Sequence, residues 1–106
     1  MVGNGTTWRP QPSTQLAAFT NLCSTLGVPG AVGETASAEH DSGDRSWKIG
    51  WFHDMLNYCE ANNYLAYCWF NANKPNDTSP AMMLTSSSEF MAAWAAQVAT
   101  HQRGVK

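Results

Sequence analysis

Among the 106 residues, the group best placed to do chemistry is the carboxyl of Glu34. It stands at the end of an apolar run, Gly30 to Thr35, which reads as a short strand. A carboxylate at the end of an apolar strand is expected to be partly desolvated. It serves as nucleophile or as acid/base according to its neighbours. The alternative is a glutamate that caps a helix or binds an arginine. Trp69, Asn71 and Asn73 gather at the end of a second apolar run. The Trp69 ring offers a flat platform for a sugar, although spacing alone favours core packing. The two asparagine amides can donate to ligand hydroxyls, or simply shape a turn.

Other reactive types are present without a pattern. His40, His53 and His101 show no metal-ligand spacing. Glu39, His40 and Asp41 adjoin in a polar stretch that reads as a solvated loop. His53 and Asp54 sit next to each other on a helix and point in different directions, so they form no dyad. No GxSxG, phosphate-binding glycine loop or CxxC occurs. Cys23, Cys59 and Cys68 are odd in number and lie in apolar stretches, which reads as buried thiols rather than a disulfide or zinc framework. No metal and no cofactor is implied.

The elements that must position these groups alternate. Residues 1–12 read as an N-terminal loop, 13–101 as the folded part and 102–106 as a tail. Ser13 or Thr14 caps a helix to about Leu26, with Leu16, Phe19, Leu22, Cys23 and Leu26 as its apolar stripe, and Gly27 stops it. Gly30 to Thr35 reads as a short strand whose small residues suggest close approach to a neighbour. Asp44 or Ser42 caps a helix from Arg45 to Ala61, apolar along Trp47, Trp51, Met55, Tyr58 and along Ile49, Phe52, Leu56, Cys59. Tyr64 to Phe70 is apolar on both alternating faces and reads as a strand buried on both sides. Ser86 to Glu89 matches a capping box before a last helix to about His101, with Phe90, Met91, Trp94, Ala95 and Val98 on its apolar side. The order is α-β-α-β-α. Two strands joined through a helix should run parallel.

Composition narrows the function classes. Hydrophobic residues make up 43% and charged residues only 13%. The latter is well below the roughly 25% typical of soluble domains, so part of the surface is expected to be covered. The net charge is −2 and the six Lys and Arg residues are scattered, which argues against nucleic-acid binding. No apolar run approaches the ~20 residues of a membrane span. The first residues lack the basic and apolar regions of a signal peptide, so an extracellular or virion location would come through a larger parent.

Several short motifs then agree in order and spacing with one family. Gly27-Val28-Pro29-Gly30-Ala31-Val32-Gly33-Glu34-Thr35-Ala36-Ser37 resembles the seventh strand of (β/α)8-barrel glycoside hydrolases, particularly the mannanase-like family 26 and its relatives. Gly43-Asp44-Arg45-Ser46-Trp47 is similar to the opening of that family's seventh helix. Ala66-Tyr67-Cys68-Trp69-Phe70-Asn71 is similar to its eighth strand. Leu84-Thr85-Ser86-Ser87, followed by Phe90 and Trp94, is similar to its final segment.

The resemblance covers about residues 13–101 and implies a partial barrel running from the sixth helix to the eighth. It implies that Glu34 matches the catalytic nucleophile and Trp69 the aromatic residue beneath the sugar. A retaining glycosidase uses two carboxyl groups about 5–5.5 Å apart. The family's acid/base comes from a fourth strand that these residues do not contain, and Met82-Met83 stands where the family has Trp-Arg. Loop residues Glu39 and Asp41 are the remaining carboxylates that could approach Glu34. A whole barrel needs about 250 residues. The implied function is a C-terminal fragment or module of a retaining β-glycosidase-like barrel, acting on or binding polysaccharide or oligosaccharide and unlikely to catalyse alone. Its edges are expected to be covered by the remaining barrel segment or by a homo-oligomer. The alternative is a non-catalytic carbohydrate-binding or structural protein, such as a phage tail component, which the chain also resembles.

Overall fold

The computed structural model describes residues 10–37, 39–40, 42–69 and 86–101, the last by its backbone alone. The expected Asn71 and Asn73 lie outside the described residues, as do Asp41, Phe70 and most of the segment before the last helix.

The chain runs α1 (Pro12–Leu26), β1 (Val32–Thr35), α2 (Arg45–Ala61), β2 (Tyr67–Trp69) and α3 (Ser88–His101). Its two strands pair in parallel, so the chain is a mixed α/β protein with a two-stranded parallel sheet. No helix among the described residues is long and apolar enough to cross a membrane.

Local chemistry sets the helix ends. Pro12 opens α1, where its missing N–H is no loss. Gly27 closes it at φ 69°, with its own N–H on the Ser24 carbonyl and that of Val28 on the Cys23 carbonyl. Asp44 caps α2, its carboxylate accepting from the Ser46 N–H at 3.0 Å and the Ser46 hydroxyl at 2.7 Å. Those bonds, the hydroxyl's first, hold its carboxyl below the usual carboxylate range. The cap of α3 falls one residue later than the sequence pattern suggests. The Ser87 hydroxyl accepts from the Phe90 N–H at 3.0 Å, whereas the Ser86 hydroxyl is drawn off to Lys48.

The core lies between the sheet and α2. Val32, Trp51, Met55 and Cys59 form it, with Leu16, Tyr64, Tyr67 and Trp69 packed around them. Phe52, 1% exposed, joins the α3 side. Its ring stacks on Trp94 at 5.2 Å and meets Phe90 edge-on at 5.4 Å. Both apolar rows of α2 read from the sequence thus reach the sheet, Trp51 and Met55 from one and Cys59 and Phe52 from the other, and Phe52 also meets α3. Gly30 permits the close approach expected of it: a Cβ there would meet the Phe19 ring at 3.1 Å and the Tyr64 ring at 3.2 Å.

Four expectations fail in part, those on the sheet for one reason. All the helices whose packing is described cover the same face of the sheet. β2 is not buried on both sides: Cys68 is exposed and Leu65 is 76% exposed. The stripe of α1 is only partly used, because Cys23 is buried and Leu16 half-buried while Phe19, Leu22 and Leu26 face outward. On α3, Phe90 is buried and Trp94 half-buried, but Met91 and Val98 are exposed. The thiol expectation holds for Cys23 and Cys59 and fails for Cys68.

Candidate functional site

The two strands are out of step, and that irregularity places Glu34. Val32 pairs with Tyr67 and Thr35 with Trp69, so three steps along β1 oppose two along β2. The extra residue is a bulge, which lets Gly33 and Glu34 together stand opposite Cys68. Val32, Tyr67 and Trp69 turn toward the helices. Ala31, Gly33, Glu34, Ala66 and Cys68 are all exposed. The second face of the sheet is thus bare, carpeted by small residues, with one carboxylate and one thiol on it. Glu34 is exposed rather than partly desolvated, because nothing among the described residues covers that face.

Trp69 sits at the end of β2 but on the other face. Its ring lies 4.9 Å from Phe90, 6.1 Å from Phe52 and Trp94 and 6.3 Å from Trp51. Half-buried in that box, it does not share the bare face with Glu34.

Behind the strand ends lies a cluster that the sequence reading placed in solvent. Glu39 belongs to the loop after β1, yet it is fully buried. Its Oε2 accepts from the Ser86 hydroxyl at 2.6 Å, and the Lys48 ammonium donates to that same hydroxyl at 2.6 Å. Arg45 stands 3.8 Å from Glu39 and 3.7 Å from Glu89. Lys48 is also fully buried, with its Nζ 4.2 Å from the Phe90 ring centre and 5.3 Å from that of Trp69. Burial pushes the Lys48 ammonium down to about 8, against the pull of Glu39 and with the push of Arg45. Burial likewise pushes the Cys59 thiol up to about 11 and the Tyr67 hydroxyl upward.

This cluster removes Glu39 from the candidates for a carboxylate pair with Glu34. Its carboxylate is sealed beneath the helices, with Oε2 bonded to Ser86 and Oε1 without a hydrogen-bond partner among the described residues, and is not presented beside the bare face. Lys48 was the missed residue, and one signal for it existed. It falls three and four residues before Trp51 and Phe52, and seven before Met55, so it lies on the buried stripe of α2. A lysine on such a stripe needs a buried acceptor, and the loop supplies one. Among the described residues, no group of three or more His, Cys, Asp or Glu residues is arranged to hold a metal ion.

Fold and site together define a parallel α/β unit with, among the described residues, helices on one face of its sheet and the Glu34 carboxylate on the other. Comparison with family models, with curated proteins and with solved structures finds no match to the chain.

Proposed function

We propose that the chain is the C-terminal part of a retaining-glycosidase-like (β/α)8 barrel that holds polysaccharide, with Glu34 at the nucleophile's position. One observation carries this reading: the sheet has helices on one side and a bare, small-residue face on the other. A barrel has that distribution, since helices ring its outside and strand residues fill its inside. Glu34 projects from the bare face near the C-terminal end of β1, where barrel enzymes collect their reactive groups. The remaining barrel segment, or a further copy of the chain, would complete the inside.

Binding is favoured over catalysis by the chain alone. Glu39 is held in the buried cluster, so among the described residues Glu34 has no second carboxyl of the kind that retaining hydrolysis requires. A non-catalytic carbohydrate-binding or structural role, as in a phage tail, needs no such pair.

Titration of the isotopically labelled chain with manno-oligosaccharide, followed by amide shifts, tests the reading. Shifts confined to Gly33, Glu34 and Cys68, weakened in Glu34→Gln, are expected. No shift at millimolar oligosaccharide, with xylo- and cello-oligosaccharides equally silent, overturns the carbohydrate reading.

A further inference from the structure

The Glu39–Ser86–Lys48 cluster, with Arg45 beside it, joins three elements: the loop after β1, the start of α2 and the entry to α3. We propose that it is a proton-operated latch, which clasps that loop to the helices when Lys48 is neutral and releases it when Lys48 is charged.

The geometry sets the direction. Glu39 brings one negative charge into the buried cluster, and Arg45 already faces it from the first turn of α2. A protonated Lys48 adds a second cation to a space where, among the described residues, Glu39 is the buried anion. Glu89, on α3, lies on the outer side of Arg45 and is half-exposed. From β2 the neutral Trp69 ring reaches the Lys48 amine, and from α3 the Phe90 ring. Of the other ionisable groups described in the loop, His40 is engaged through Nδ1 with the Ser42 hydroxyl and Asp44 with Ser46. The two rings and Glu39 favour the ammonium. Full burial opposes it and prevails, as the shift down to about 8 records. A neutral amine loses nothing in hydrogen bonding, since it still donates to Ser86, which still donates to Glu39.

Opening the loop returns Lys48 to water and to its ordinary value of 10.5. Each proton bound more readily by the open state favours opening as pH falls. For values of about 8 closed and 10.5 open, the opening equilibrium falls about tenfold between pH 7 and 9. The latch is thus shut in mildly alkaline solution and loosened at neutrality. It acts on the segment that leads out of the strand bearing Glu34, and it stands independently of the carbohydrate reading.

Hydrogen exchange of the full chain, expressed as protection factors to remove the intrinsic pH effect, tests the latch. Protection of the amides in residues 36–44 is expected to rise about tenfold from pH 7 to 9. In Lys48→Met, which keeps the apolar stem without the charge, protection is expected to stay level. A flat wild-type profile, or the same rise in Lys48→Met, overturns the proposal. If Lys48→Met does not fold, the wild-type Lys48 side chain is titrated by NMR: an apparent pKa near 8 supports the latch, and one near 10.5 refutes it.

Discussion

The bare sheet face makes a quantitative prediction about three thiols. Cys23 and Cys59 are 8% and 6% exposed, whereas Cys68 stands open opposite the Gly33–Glu34 bulge. Thiolate is the reactive form. Raising the Cys59 thiol from 9.0 to about 11 leaves roughly 100-fold less thiolate near neutrality, before any steric shielding is counted. A maleimide at pH 7.4 is therefore expected to label one thiol per chain quickly, at Cys68. Cys59 should lag by at least about 100-fold in the folded protein. Intact mass gives the number of labels and peptide mapping gives their positions. The assay also reports what covers the face. If a further copy of the chain covers it, labelling of Cys68 slows as protein concentration rises, in step with a larger sedimentation coefficient. If a separate barrel segment covers it, adding that segment slows labelling at constant chain concentration. Slow labelling of Cys68 in a dilute monomer would refute the reasoning, because the face would then be shielded by the chain itself.

Two further changes probe the helix side. Phe52→Ala empties the centre of the aromatic box and is expected to cost about 3–5 kcal/mol in urea unfolding, a large share of a small domain's stability. Ser87→Ala removes the cap of α3 and should cost about 1 kcal/mol, while Ser88→Ala, whose hydroxyl reaches only Glu89, should be nearly silent. Global stability also carries the pH signature of the buried groups. Lys48, lowered on folding, adds stability as pH rises above about 8, whereas Cys59, raised on folding, removes it between 9 and about 11. On these two groups urea midpoints should rise from about pH 8, level off between about 9 and 10 and fall beyond that, and Lys48→Met should abolish the rise.

The element order was legible because it rests on local signals. The α2 periodicity, the Asp44 cap and the Gly27 stop each act within one or two turns, and the structure places α2 over the expected Arg45–Ala61. Burial was legible only where one face of an element dominates. Phe19, Leu22 and Leu26 keep helical spacing yet face outward, since periodicity shows that a face is apolar and not what lies against it. The alternating apolar run of β2 suggested two covered faces, but only one layer of helices is described. The position of Glu34 followed from the sequence, whereas its exposure followed from the missing layer. Glu39 was misread because a polar loop looks solvated until its partners are known. Those partners, Lys48 and Ser86, lie 9 and 47 residues away, the latter beyond any local pattern.

The two sides of the sheet therefore have different chemical standing. On the helix side the buried ionisable pair is engaged, Lys48 and one oxygen of Glu39 through Ser86, and Trp69 is enclosed by four other rings. On the bare side, Glu34 is available but solvated, with no described neighbour to orient a substrate or exclude water. A carboxylate acts as a nucleophile when closure of its site replaces that water with fixed partners. Any covering of the bare face, by other strands or by a further copy, would at once shelter Cys68 and desolvate Glu34. Shielding of the thiol is thus a direct gauge of whether the carboxylate has been brought into a setting where it can react.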